Sequence, residues 1–219
     1  KSRLASGTPP LTVAQRFDIA SDVARALRFL HGVATPPIIH QDVKSDNILL
    51  DVIQGELVAK LADFGTARYA DELLNTGVSK VVTGNVIGSR GYMPIEYQSG
   101  VVSEKTDTYA FGVVLCELLT GLPPADYDEG EMLAMSMAKP LADAARLLPP
   151  LLDSRLGGGG WPLPRAVALA GVARRCLEPM AADRCVVAEV LLELDALAGR
   201  MAVRRAGRGE EYDPKTGRL

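Results

Sequence analysis

Residues 103–121 constrain the fold of this chain more than any other stretch. They read as one helix whose last turns, Val113 to Leu119, are apolar on every side and interrupted only by Glu117. A surface helix confines its apolar residues to one stripe, so a helix with no polar face belongs inside. This segment is therefore expected to be the buried axis of the domain, with Pro123 and Pro124 ending it. At 219 residues and 47% hydrophobic composition, the chain is long enough for one substantial core around that axis.

The segments expected to surround the axis are helical too. Thr12 followed three residues later by Gln15 is a capping-box signal. Val13, Phe17, Ala20, Ala24 and Leu27 then recur at helical spacing, which predicts a helix to about His31 with Gly32 as its stop. Further helices are predicted near residues 131–138, over 163–178 and over 184–197, the last with Val187, Val190, Leu191, Leu194 and Leu197 facing inward. Two short apolar runs, 48–50 and 57–61, flank a turn-rich stretch at 51–55 and read as a hairpin. Residues 64–100, rich in Gly, Ser and Thr without periodicity, read as a long ordered or switchable loop, and the glycines at 157–160 as a flexible connection. Residues 201–219 read as a flexible polar tail.

Composition narrows the function. With 24 basic and 27 acidic residues and a net charge of −3, the chain lacks the basic footprint of a nucleic-acid binder. The three cysteines, Cys116, Cys176 and Cys185, lie in apolar segments and read as small core residues in a reducing, intracellular compartment. No run approaches the roughly 18 to 20 apolar residues of a membrane span. The chain opens at Lys1 with neither an initiator methionine nor a signal-peptide pattern, so further sequence is expected upstream.

The chemistry is concentrated in His40 to Asn47, a polar loop entering a strand, where Asp42, Lys44 and Asn47 fall close together. The hairpin after it is expected to return the chain to the same edge and bring Asp63 beside Asn47, which makes a hard-oxygen site suited to magnesium. Phosphoryl transfer needs an aligned nucleophile, neutralised charge and a fixed metal. Asp42 is expected to orient and deprotonate a hydroxyl, Lys44 to stabilise the transferring group, and Asn47 with Asp63 to hold the metal. Gly65 is expected to let the backbone turn tightly after the metal ligand. His40 reads as a packed histidine rather than a zinc ligand.

These residues carry a resemblance. His40 to Asn47 resembles the catalytic loop of eukaryotic protein kinases, and Asp63-Phe64-Gly65 resembles their metal-binding motif. Residues 88–96 resemble the end of an activation segment, and 103–112 the start of the family's central helix. Over residues 11–199 the chain is similar to plant receptor-like kinases and interleukin-1-receptor-associated kinases. The resemblance implies a mainly helical C-terminal lobe in residues 1–200, with a small β-hairpin at the active site and no N-terminal lobe. It implies ATP and magnesium as cofactors, with Leu49, alongside Ile48 and Leu50, beneath the adenine. It further implies that Asp107 holds the catalytic loop's backbone, that Glu96 pairs with Arg184, and that His40 and Phe64 stack. Lys44 and Ser89 favour Ser or Thr acceptors in protein substrates. Implied localisation is cytoplasmic, or the cytoplasmic side of a membrane for a receptor.

Departures from the family pattern set further expectations. Gln41 stands where many members have the arginine that grips an activation-loop phosphate, so little dependence on loop phosphorylation is expected through this position. Tyr69, Thr76, Ser79 and Thr83 are candidate phosphosites. Pro94-Ile95 replaces Ala-Pro before Glu96, and Cys185-Val186 replaces the Pro-Ser/Thr pair that opens the last helix, with Asp183 a candidate cap instead. No glycine-rich phosphate loop or strand lysine precedes Leu11, so this segment alone is expected to be inactive and to expose an apolar face. Two other readings are a pseudokinase scaffold and a small-molecule phosphotransferase, because aminoglycoside-type enzymes share the loop's His, Asp and Asn.

Overall fold

Thr12 opens the first helix. In the computed structural model, which describes residues 10–70, 89–125, 130–156 and 160–199, its hydroxyl accepts from Gln15 N at 3.2 Å while Gln15 Oε1 accepts from Thr12 N at 2.9 Å. This reciprocal cap satisfies donors that a helix start leaves unpaired. The helix, α1 (Val13–Gly32), buries Phe17, Ala20, Val23, Ala24 and Leu27. Thr76, Ser79, Thr83 and the tail at 201–219 lie outside the described residues.

Among the described residues four strands follow: β1 (Ile38–Ile39), β2 (Ile48–Ile53), β3 (Glu56–Leu61) and β4 (Arg68–Tyr69). β2 and β3 form an antiparallel hairpin in which Ile48 pairs with Leu61 and Ile53 with Glu56. The strands run further than the apolar residues alone predict, and the turn is only Gln54-Gly55, at φ 54° and 85°. Two successive left-handed residues suit the twist of a two-residue hairpin, so the ladder continues through Asp51, Val52 and Ile53 up to that turn. β1 pairs with β4 in a second antiparallel ribbon, inside what sequence periodicity leaves as loop.

The remaining α-helices among the described residues are α2 (Ile95–Gln98), α3 (Glu104–Thr120), α4 (Leu133–Ser136), α5 (Ala138–Ala142), α6 (Ala144–Leu147), α7 (Leu163–Cys176) and α8 (Val187–Leu197). Helix α3 is the axis: every residue from Ala110 to Thr120 is buried. It packs on α7 and α1, while α8 and β3 cover other parts of α1. Gly112 permits the close approach of α3 to α7, since a Cβ there would lie 2.8 Å from Cys176 Cβ. Gly121 ends α3 in the left-handed conformation, φ 69°, where a side chain would meet Asp153 Oδ2 at 2.6 Å.

Asp153 is held there by a buried arginine. Arg16 Nη2 lies 2.5 Å from Asp153 Oδ2, Nη1 donates to Leu118 O at 2.6 Å, and Nε donates to Leu11 O at 3.1 Å. One guanidinium thus ties the start of α1 to the end of α3, although the helical periodicity gives Arg16 no special place.

Three expectations need correction. The last helix begins at Val187 rather than 184, and no side-chain cap from Asp183 is present; the Glu189 carboxylate accepts from Val186 N at 3.1 Å instead. The region near 131–138 forms three short helices extending to Leu147, broken around Met137 and Asp143. Cys116 and Cys176 are core residues, but Cys185 is only partly buried because it sits in the stretch before α8. Among the described residues, no helix is long and apolar enough to cross a membrane.

Candidate active site

The loop joining β1 to β2 converges on Asp42. Its Oδ2 accepts from Lys44 Nζ at 2.6 Å and from Asn47 Nδ2 at 3.0 Å, and its Oδ1 accepts from Ser89 Oγ at 2.9 Å. Lys44 Nζ also donates to Ser89 Oγ at 2.8 Å, so four polar side chains share one cluster. Burial works to raise the pKa of Asp42, but the bonds from Lys44, Ser89 and Asn47 outweigh it and hold the carboxyl below its ordinary value. The group is therefore an anion that already has cationic and hydroxyl partners.

Asn47 commits its amide nitrogen to Asp42, donating to the backbone O at 2.9 Å as well as to the carboxylate. Its backbone O accepts from Ala62 N at 2.9 Å, which brings the residue before Asp63 against Asn47. Asp63 is exposed, at φ 65°, and its Oδ1 accepts from Gly65 N at 3.3 Å. The left-handed turn thus falls on Asp63 rather than on Gly65. A short carboxylate that bonds the amide two residues on stabilises such a turn. The Asn47 side-chain oxygen and the Asp63 carboxylate are hard donors, and two protein oxygens suffice for magnesium, which completes its shell with water and phosphate. Among the described residues, no group of three His, Cys, Asp or Glu side chains makes a protein-only metal cage.

Strand alternation divides the residues assigned to the adenine. Ile48 is in the core and Leu50 packs against it, whereas Leu49, on the opposite face, is 56% exposed. Only Leu49 lies on the open side, because neighbouring side chains point to opposite faces of a strand. Phe64 is 50% exposed and meets the buried His40 ring edge-on, centroids 4.9 Å apart.

Buried α3 residues position the loop. Asp107 Oδ2 accepts from His40 N and Oδ1 from Gln41 N, each at 2.8 Å, and His31 Nε2 lies 2.8 Å from the same carboxylate. Periodicity places His31 only near the end of the first helix and gives no sign of this partner. Gln41 sits at φ 69°, and its side-chain Nε2 is buried without a hydrogen-bond partner among the described residues. Glu117 lies deeper, accepting from Ser45 Oγ at 2.9 Å and from Tyr92 OH at 2.8 Å. This trio was missed as a unit. The available signal was a carboxylate inside an all-apolar helix, which requires partners. Glu96 and Arg184 form a bidentate pair.

The protein kinase domain profile matches residues 3–191. The chain belongs to the protein kinase family. This kinase domain is 37% identical, over 96% of its length, to the proline-rich receptor-like protein kinase PERK8 of Arabidopsis thaliana, covering 31% of that protein. It is 38% identical to the Arabidopsis serine/threonine-protein kinase PBS1 over 84% of its length, covering 40% of that relative. To the chitin elicitor receptor kinase 1 of Physcomitrium patens it is 37% identical over 90% of its length, covering 32%. The chain therefore spans well under half of each of these relatives.

Within the kinase domain, Glu117 makes stability depend on pH. Burial outweighs the two hydroxyl donors and, helped by the Asp46 charge, pushes its carboxyl up from 4.5 to about 7. With the folded value above the unfolded one, the folded state keeps a proton that the unfolded chain has released. The stabilisation is complete below about 4.5 and is lost as pH rises through about 7. Urea titrations should give a lower midpoint near pH 8 than near pH 5, and Glu117→Gln should remove a Glu117 component on the order of 3 kcal/mol. An unchanged pH slope in the variant would reject this assignment.

Proposed function

We propose that the full protein carrying this chain transfers the γ-phosphate of ATP to Ser or Thr residues of protein substrates in signalling, and that residues 1–200 are the helical C-terminal lobe of its kinase domain. In this reading residues 201–219 are not part of the lobe, and the location is the cytoplasm or the cytoplasmic side of a membrane. The observation that carries the reading is the Asp42 cluster, a carboxylate bonded at once to Lys44, Asn47 and Ser89.

Asp42 orients the acceptor hydroxyl and takes its proton at a carboxylate oxygen as the phosphoryl group arrives. Lys44, beside it, neutralises charge on the transferring group. Ser89 shares both partners and so links the substrate-docking segment to the base. Asn47 and Asp63 are the residues that would hold magnesium, which when bound would neutralise charge on the ATP phosphates. Leu49 offers apolar surface to the adenine. An open apolar groove lined by Phe29, Leu30, Val58, Leu61 and Phe64 supports the idea that another lobe covers this side. The chain alone is accordingly expected to be inactive.

The test is phosphate transfer from labelled ATP by the full protein, offered both protein acceptors and small alcohols. Label should enter Ser and Thr of protein and vanish on chelation of magnesium, and Asp63→Asn should raise the magnesium requirement by at least about 10-fold, since loss of even an outer-shell partner costs that much. No transfer by folded full-length protein would favour a scaffold. Label entering small alcohols alone would favour a small-molecule phosphotransferase.

A further inference from the structure

The strongest unassigned feature is a pair of thiols in contact. Cys176, the last residue of α7, has its Sγ 3.6 Å from the Sγ of Cys185. The backbone builds this contact, because Cys185 N donates to Arg175 O at 3.2 Å and so lays the stretch before α8 along the end of α7. Neither sulfur takes part in the phosphotransfer cluster, and Cys116 is buried separately in α3.

The two thiols differ in access and charge. Cys176 is fully buried against α3, whereas Cys185 is partly exposed. The hydrogen bond from the Cys176 thiol lowers the pKa of Cys185. Partial burial opposes that effect, but the Arg175 and Lys105 charges reinforce it. The same hydrogen bond, with complete burial, pushes the Cys176 thiol up. Cys185 is thus the sulfur that meets an oxidant first, and Cys176 is the partner poised behind it.

We propose that Cys176 and Cys185 are a redox pair that a peroxide-class oxidant converts to a disulfide, cross-linking the end of α7 to the residue next to Arg184. Cys185 loses its proton to solvent, and its thiolate attacks one peroxide oxygen. The O–O bond breaks, and the departing hydroxide takes a proton to become water. The Cys176 sulfur then attacks the resulting sulfenic sulfur, forming the S–S bond and releasing hydroxide, which leaves with the Cys176 proton as a second water. Two electrons pass from the sulfurs to one hydrogen peroxide. The bond needs the sulfurs to close from 3.6 Å to about 2.05 Å. Intracellular disulfides are usually transient and redox-sensing, which suits a pair whose first thiol is accessible.

The link would act on a structural joint. Arg184 directly precedes Cys185 and holds Glu96 through both carboxylate oxygens, so the oxidised form ties that ion pair covalently to α7. The inference does not depend on the phosphotransfer reading.

The sequence supplies a direct readout. Trypsin cuts after Arg175 and Arg184, so Cys176 and Cys185 fall in different peptides, 176–184 and 185–200, which only a disulfide can join. Full-length protein should be treated with hydrogen peroxide, blocked with N-ethylmaleimide in denaturant, digested and analysed by mass spectrometry. The expected result is a joined 176–184/185–200 species, two hydrogens lighter than the sum of its peptides, that a dithiol reductant separates. Cys116→Ser should retain the species and Cys185→Ser should lose it. The wild-type digest decides the matter even if a variant misfolds. Recovery of both peptides alkylated, of Cys185 as sulfinic acid with Cys176 alkylated, or of a Cys116–Cys176 link in their place overturns the proposal.

Discussion

Asp42→Asn should lower phosphate transfer by about 10²–10⁴-fold, the span that a positioned acid–base group supplies. The substitution keeps size and leaves one oxygen to accept from Ser89 or Lys44. It removes the basic oxygen and places an NH2 group where Oδ2 now accepts from both Lys44 Nζ and Asn47 Nδ2. Two donors would then face a third. A single-turnover measurement at saturating ATP separates chemistry from binding. The variant should still bind nucleotide, and its urea midpoint should move little, because the site is partly open to solvent. A rate within a few-fold of wild type would remove Asp42 from the role of base and leave it a scaffold for the loop.

Arg184→Ala should cost about 3–5 kcal/mol, the range found when one partner of a buried ion pair is removed. The side chain is fully buried and every donor is used. Beyond the bidentate pair with Glu96, Nε donates to Glu178 O at 2.8 Å, Nη1 to Lys105 O at 3.0 Å, and Nη2 to Pro179 O at 3.0 Å. The guanidinium also lies 4.9 Å from the Tyr109 ring centroid. Alanine would strand three carbonyls and a carboxylate at once. Arg184→Lys should rescue little, because an ammonium cannot reproduce the planar fork. The double variant Glu96→Gln, Arg184→Met should be less unstable than Arg184→Ala, since no charge is then left without its partner. Chemical denaturation of the three variants checks the order, and a loss under about 1 kcal/mol for Arg184→Ala would show that the pair contributes little.

Local features were legible in the residues themselves. Thr12 with Gln15 marks the start of α1, the apolar run from Val113 marks the buried axis, and the loop from His40 to Asn47 concentrates the polar chemistry. Caps and periodicity act over three or four residues, so the sequence contains both partners of each interaction. The hairpin's existence was legible, but its length was not, since Gln54 gives no strong sign of adopting a left-handed turn.

Packing decided the rest. Ser45 finds Glu117 across 72 residues, His40 finds Asp107 across 67, and Arg16 finds Asp153 across 137. β1 and β4 are two residues each and exist because they meet one another. Cys176 and Cys185 are only nine residues apart, yet their contact depends on how α7 and the stretch before α8 lie on α3. The sequence determined that α1, α3, α7 and α8 are helical, that α3 is the buried one and that its buried polar residues must find partners. The tertiary structure alone chose those partners, because a buried polar group is satisfied by whichever group chain packing delivers to it, not by its sequence neighbours.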